Sequence, residues 1–129
     1  MSDIVVTLPI YWQRTKKTVD LLSLNNYRNW HYFTSNKFKE VFTGLSQEQF
    51  QGFTAIEGQY KVHSKLYYKR ANCDASNIIP VVEKVVLDSL VAAGLLPGDS
   101  VKHHVSASWE VEKDADNPRC VTTITKTGK

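Results

Sequence analysis

The feature that most constrains the fold is a strongly apolar helical segment in the second half of the chain. Its apolar positions recur at helical spacing over a wide surface: Ile78, Ile79, Val81, Val82, Val85, Val86, Leu87, Leu90 and Val91. Asn77 is expected to cap this helix, Pro80 to lie in its first turn, and Gly94 to follow its last turn. Its expected polar side carries Glu83, Lys84 and Asp88. A helix of this kind needs a second layer to cover it.

Strictly alternating segments predict that this second layer is a sheet. In residues 60–70, the positions Tyr60, Val62, Ser64, Leu66 and Tyr68 share one strand face, and Lys61, His63, Lys65, Tyr67 and Lys69 share the other. Residues 4–8, 101–112 and 121–126 are also predicted strands. Phe38, Val41, Phe42 and Leu45 predict a second helix over about residues 36–44, which can continue to residue 51, with Ser35 as its cap. We read residues 11–35 as a loop with partial helix.

This element order predicts an α+β fold: one small domain over residues 1–129, with helices packed on one face of a mixed, mostly antiparallel sheet. A length of 129 residues leaves no room for a second core, and the hydrophobic share of 42% supports folding. No apolar run approaches membrane-spanning length, and Met1 is followed by polar residues without a signal-peptide pattern. We therefore expect a soluble, cytoplasmic protein without a membrane partner.

Several kinds of chemistry are disfavoured by the residues present. Cys73 and Cys120 form neither a disulfide framework nor a CxxC pair, so we expect free thiols. His103 and His104 are adjacent and would point to opposite faces of a strand, which matches no standard zinc spacing with the cysteines. The sequence contains no GxSxG, Walker or dinucleotide fingerprint. The net charge of +3 permits a nucleic-acid partner without requiring one.

Residues 74–77 (Asp-Ala-Ser-Asn), the helix end at residues 86–94 and the turn at residues 95–99 (Leu-Leu-Pro-Gly-Asp) resemble a known signature. RusA-type Holliday-junction resolvases carry an Asp-x-Asp-Asn motif, a helix with Leu-Asp-x-Leu that ends in Ala-Gly, and an acidic turn. The resemblance covers about residues 74–105 and includes a few extra residues in the first half of the helix. It implies a phage-type homodimer that uses Mg²⁺ to nick four-way junctions.

The resemblance implies roles for five residues of this chain. Asp74 and Asp99 match family acids and would be catalytic metal ligands, with Asp88 as a third candidate ligand. Lys84 would be a catalytic basic residue, and Asn77 would position the Asp74 loop. Each of these acids also has an ordinary structural explanation: Asp74 favours the positive end of a helix dipole, Asp99 follows a Pro-Gly turn, and Asp88 can pair with Lys84. Two metal-bound carboxylates are enough for magnesium if the fold brings them together.

Basic side chains on the outer face of the strand at residues 60–70 and in the Asn- and Arg-rich segment near the N-terminus are the expected contacts to DNA phosphates. They are Arg14, Lys16, Lys17, Arg28, Lys61, Lys65, Lys69 and Arg70. The alternative is that these side chains are ordinary solvent-exposed surface residues without a partner. Trp12 and Trp109 are expected to be core residues rather than base-stacking platforms.

Two departures from the family pattern leave the function open. Ser76 stands where the motif has its second Asp, and the paired acids of the turn are reduced to Gly98 and Asp99. The leading hypothesis is therefore a magnesium-dependent endonuclease acting on branched DNA. The first alternative is a binding protein of the same fold that has lost most of its chemistry, and the second is a small phage scaffold or interaction module.

Overall fold

The computed structural model describes residues 3–127, which form one α+β domain. In chain order its elements are β1 (Ile4–Pro9), β2 (Tyr11–Gln13), β3 (Val19–Leu21), α1 (Leu24–Asn29), α2 (Tyr32–Gln47), β4 (Tyr60–Tyr68), α3 (Ala75–Ala92), β5 (His104–Lys113) and β6 (Arg119–Lys126). The predicted fold class is confirmed. The predicted order lacked only β2, β3 and α1, which lie in the segment that we read as loop with partial helix. None of the helices in residues 3–127 is long and apolar enough to cross a membrane.

The main sheet has four strands in the order β1-β6-β4-β5. β6 pairs antiparallel with both β1 and β4, whereas β4 and β5 run parallel. The alternation predicted for β4 is confirmed, because Tyr60, Val62, Ser64 and Leu66 are all buried. The register places Leu66 beside Cys120 of β6. A single apolar face of the sheet therefore carries the core.

The apolar helix α3 covers this face, with nine buried residues along its length. Two details of its first turns differ from the sequence prediction. Asp74, rather than Asn77, is the N-cap, because its extended backbone lets its side chain accept a hydrogen bond from the Ser76 N–H. Pro80 consequently lies in the helix interior rather than in the first turn, where its missing N–H costs one helical hydrogen bond. Gly94 follows the helix with a φ of +77°, as predicted.

Helix α2 packs against α3 and β1. It begins at Tyr32, earlier than predicted, because His31 rather than Ser35 provides the cap: the Phe33 N–H donates to His31 Nδ1 at 3.3 Å. Phe38 and Phe42 are buried on its inner face. Trp12 of β2 lies against both rings and is 7% exposed, which confirms its predicted place in the core.

Strand β5 differs from the other strands of the main sheet because nine of its ten residues are exposed. It begins at His104 rather than Val101, since residues 101–103 form a turn. The prediction that Trp109 is a core residue is wrong: its side chain is 55% exposed. The reason is positional. β5 is an edge strand, and α3 contacts β4 and β6 instead.

Candidate functional site

The structure separates the three acids that the sequence grouped as metal ligands. Asp74 caps the start of α3 and lines a cavity of about 370 Å³ with Leu66 and Trp109. Asp99 follows the other end of the helix and lies close enough to Tyr60 to raise the pKa of its phenol. Leu66 lies six positions after Tyr60 along β4, which corresponds to roughly 20 Å. Asp74 and Asp99 of one chain therefore do not meet at one ion.

Asp88 lies on a third surface. It pairs with Lys84 at 3.3 Å on the exposed side of α3, as the ordinary interpretation of this i,i+4 pair expected. Both residues line a mostly apolar cavity of about 340 Å³ between the helices, away from Asp74 and Asp99. Asn77 lies in the first turn of α3, where its N–H donates to the Asp74 carbonyl at 3.0 Å. Across residues 3–127, no three His, Cys, Asp or Glu side chains are arranged to hold a metal ion.

A different set of polar groups converges under the β4–β5 side of the sheet, and we call it the Glu83 cluster: Glu83, Ser64, Tyr60, His104 and Asp99. Glu83 belongs to α3, Ser64 and Tyr60 to β4, and His104 to the start of β5. Ser64 Oγ donates to Glu83 Oε2 at 3.4 Å, and the His104 ring stacks on Tyr60 with 5.4 Å between ring centroids. Elements that are distant in sequence therefore bring two carboxylates and an imidazole into one region.

In the Glu83 cluster, no lysine or arginine offsets the negative charge of Glu83 within residues 3–127. Burial raises the pKa of Glu83, and the nearby His104 and the Ser64 hydrogen bond only partly oppose this effect. Burial, followed by the charges of Asp99 and Glu83, raises the pKa of Tyr60 to about 12. Glu83 has no lysine or arginine ion-pair partner within residues 3–127. In the same part of the chain, the buried Nε2 atom of His104 has no hydrogen-bond partner.

A hydrogen bond from Tyr60 of β4 holds the turn that carries Asp99 in place. Tyr60 donates its hydroxyl hydrogen to the carbonyl of Gly98 at 2.7 Å. A Cβ atom on Gly98 would come within 3.1 Å of the His103 ring, which is tighter than most real contacts. This crowding favours glycine at position 98. Asp99 is therefore the single carboxylate that this turn presents.

The predicted DNA-binding residues fall into two classes. Arg14 and Lys65 are already neutralised, by Asp20 at 2.7 Å and by Glu112 at 3.2 Å. His63 of the same β4 face contacts Glu110 at 3.1 Å. The outer face of β4 is therefore mixed in charge rather than purely basic, because β5 places acids beside it.

The other predicted phosphate contacts have no ion-pair partner within the described residues 3–127: Lys16, Lys17, Arg28, Lys61, Lys69 and Arg70. All six are exposed. Lys69 and Arg70 follow β4 and line a cavity of about 530 Å³ with Tyr11 and Val19 of the β2–β3 hairpin. Lys16 and Lys17 lie in the turn of that hairpin. The fold thus brings two separate basic segments to one end of the molecule.

Sequence reasoning missed Glu83, Tyr60 and His104 as members of one site. Glu83 was assigned to the polar side of α3 and lies instead against the sheet. The one available signal was that Glu83 directly precedes Lys84, so that two consecutive charged residues on a helix point about 100° apart and cannot both face the same way. The stacking of His104 on Tyr60 depends on the parallel pairing of β4 with β5, which no local pattern indicates.

Comparison with protein-family models gave no match, and no curated protein matches the chain.

Proposed function

We propose that the chain is a magnesium-dependent endodeoxyribonuclease of RusA type that binds and nicks branched DNA such as four-way junctions. The observation that carries the proposal is the half-buried Glu83, which has no lysine or arginine ion-pair partner in residues 3–127 and lies near His104. Asp99 and Glu83 both lie near the Tyr60 hydroxyl. The resemblance of residues 74–99 to the RusA signature supports the same class of activity.

A partly buried carboxylate without a cation is costly, because burial removes water that would stabilise its charge. A divalent cation offsets this cost, and magnesium usually takes one or two protein carboxylates and completes its shell with water and phosphate oxygens. Glu83 and Asp99 supply two carboxylates near the Tyr60 hydroxyl and would hold the ion in this proposal. When bound, the ion would supply polarisation of the phosphate and activation of water.

The surrounding residues would position these two acids. Tyr60 holds the Asp99 turn through its hydrogen bond to Gly98. Ser64, on the buried face of β4, donates a hydrogen bond to Glu83. Lys84 and Asp88 pair on the exposed side of α3 and would not take part in the chemistry. The six exposed cations without ion-pair partners would contact phosphates, which gives affinity for DNA with little dependence on base sequence.

The test is cleavage of a labelled four-way junction, with and without Mg²⁺, by the wild type and three variants. We expect Glu83→Gln and Asp99→Asn each to lower cleavage at least 100-fold while junction binding persists, and Asp88→Asn to cleave like the wild type. Asp88→Asn is the matched control, since it removes a carboxylate from the exposed side of the same helix. Wild-type rates for both Glu83→Gln and Asp99→Asn would refute this site.

Asp74→Asn distinguishes this arrangement from the one implied by the family signature. Asn is as good an N-cap as Asp, so the helix start is preserved. Cleavage that survives Asp74→Asn and is lost with Glu83→Gln supports the Glu83–Asp99 pair. The reverse result would place the ion at Asp74.

A DNA-binding protein without cleavage is the second candidate. It is favoured by the use of Asp74 Oδ1 as acceptor for both the N–H and the hydroxyl of Ser76, at 3.1 and 2.8 Å, where the family motif has another acid in place of Ser76. Salt-sensitive binding of a four-way junction without cleavage at any Mg²⁺ concentration would identify this function.

A further inference from the structure

Trp109 is the largest apolar side chain on the exposed strand β5. Helix α3 packs against β4 and β6, which leaves the helix-side face of β5 exposed. Ala107, Trp109 and Val111 alternate along this face, and Trp109 is 55% exposed. We propose that Trp109 is a stacking platform for an unpaired nucleobase of single-stranded DNA, and that the cavity beside it seats that base.

The cavity beside Trp109 suits one flat, largely apolar group. It has a volume of about 370 Å³ and lies between β4, β5 and the start of α3. Its apolar and aromatic lining includes Leu66, Tyr68, Ala75, Trp109 and Val111. Pockets for small ligands span roughly 300–1,000 Å³, so this cavity lies at the small end of that range. A nucleobase offers a π-face on which an exposed indole ring stacks, whatever the base.

The charges around the cavity fit a DNA backbone at one of its ends. Lys69 and Arg70 directly follow the lining residue Tyr68, and Lys113 is paired with Tyr68 in the sheet register. None of these three cations has an ion-pair partner within residues 3–127. Asp74 lines the cavity at the start of α3, where its carboxylate would repel a phosphate. The sugar-phosphate backbone therefore lies toward the three cations, with its base in the cavity.

The acids of β5 do not oppose this binding, because they lie on the other face of the strand. Glu110 contacts His63 at 3.1 Å, and Glu112 contacts Lys65 at 3.2 Å, both on the outer face of β4. Successive side chains of a strand point to opposite faces, so Trp109 faces away from these acids. The face that carries the indole ring is therefore free of the negative charges of its own strand.

The position of Trp109 connects base binding to the Glu83 cluster, and this connection rests on the proposed function. Trp109 is paired with Ser64 in the register of β4 and β5, and Ser64 donates a hydrogen bond to Glu83. An unpaired base leaves its stack at a lower cost than a paired base. Trp109 would therefore hold an unpaired nucleotide beside the proposed metal site and favour branched substrates that contain such nucleotides.

Binding of a short single strand tests the platform without Mg²⁺ or cleavage, so that its failure is separate from a failure of the proposed nuclease activity. The probe is a labelled oligothymidylate of about ten nucleotides, and fluorescence anisotropy measures its affinity. We expect Trp109→Ala to weaken binding at least about 5-fold, and Trp109→Phe, which keeps an aromatic ring, to retain most of the affinity. Val105→Ala is the matched control, since Val105 is 44% exposed on the same strand and lies outside the cavity.

Intrinsic fluorescence gives a second readout, because a stacked base quenches an indole. Of the three tryptophans, Trp12 is 7% exposed, and Trp30 is partly buried and donates to Asp20. The oligothymidylate should quench the emission of the wild type and leave that of Trp109→Phe nearly unchanged.

A duplex of the same length is the control for phosphate contacts alone, since its bases are stacked on each other. It should bind the wild type and Trp109→Ala equally. The platform would be overturned if the wild type failed to bind the single strand, or if Trp109→Ala bound it like the wild type. Quenching that persists in Trp109→Phe, or an equal loss of single-strand and duplex affinity in Trp109→Ala, would also overturn it.

Discussion

The two edges of the main sheet differ in whether other groups satisfy their outward backbone N–H and C=O groups. At the β1 edge, the side-chain amide of Gln49 satisfies the outward backbone of Thr7: it accepts from the Thr7 N–H at 2.8 Å and donates to the Thr7 carbonyl at 2.7 Å. Pro9 ends the same strand and cannot extend pairing. The β5 edge has neither device and exposes both of its faces.

The contrast extends from the edges into the layer beneath them. Under β1, the side chains Ile4, Val6 and Leu8 are at most 1% exposed. Under β4 and β5 lie the carboxylate of Glu83 and the buried Nε2 atom of His104, which has no partner in residues 3–127. One side of the domain is thus internally satisfied, whereas the other keeps polar groups that a cation, DNA or a second subunit can satisfy. The proposed chemistry falls on this second side.

Removing the β1 cap should have the largest effect on stability. Gln49→Ala leaves the Thr7 N–H and C=O without their partner, and two such hydrogen bonds correspond to about 2 kcal/mol of unfolding free energy. Urea denaturation measures the loss. Gln47→Ala, at the exposed last position of α2 two residues before Gln49, should change stability by less than about 0.5 kcal/mol. Equal effects of the two variants would mean that Gln49 does not protect the edge.

Glu83→Gln should change stability in the opposite direction and in a pH-dependent way. Burial raises the pKa of Glu83 above its ordinary value of 4.5, so the folded state pays an added cost to ionise this group. Stability therefore falls as the pH rises from the unfolded to the folded pKa, and the cost persists at neutral pH. We expect Glu83→Gln to raise Tm at pH 7 and to give no increase well below pH 4.5.

Adding Mg²⁺ to the Glu83→Gln experiment tests whether the ion binds at the Glu83 cluster. If the ion binds at the Glu83 cluster, added Mg²⁺ should raise the Tm of the wild type at pH 7 and leave that of Glu83→Gln unchanged, because a ligand stabilises only the state that binds it. Glu48→Gln, which alters an exposed carboxylate at the end of α2, should keep the wild-type response. Identical Mg²⁺ shifts in all three proteins would contradict binding at Glu83.

The smallest effect is expected at the open edge itself. Val111 is 46% exposed, and Val111→Thr conserves its shape and strand propensity, so stability should change by less than about 0.5 kcal/mol. A larger loss would mean that Val111 contributes more to the fold than its exposure indicates. Urea denaturation of the wild type and the variant measures the change.

Local sequence patterns predicted the elements that depend on short-range physics. The alternation in residues 60–70 and the helical spacing in residues 78–91 both identified their inward faces, because side-chain direction follows directly from backbone geometry. Boundaries were less well predicted. Asp74 and His31 displaced Asn77 and Ser35 as caps, since capping depends on which residue has an extended backbone.

The sequence by itself determined the fold class, the core positions of β4 and α3, and the acids available for chemistry. Tertiary structure decided which of those acids come together. Asp74 and Asp99 flank one helix whose 18 residues hold them apart, whereas Glu83 meets Tyr60, Ser64 and His104 through the packing of α3 on a sheet in which β4 and β5 are parallel. Strand order and direction arise from contacts between distant segments, and no pattern within either segment encodes them.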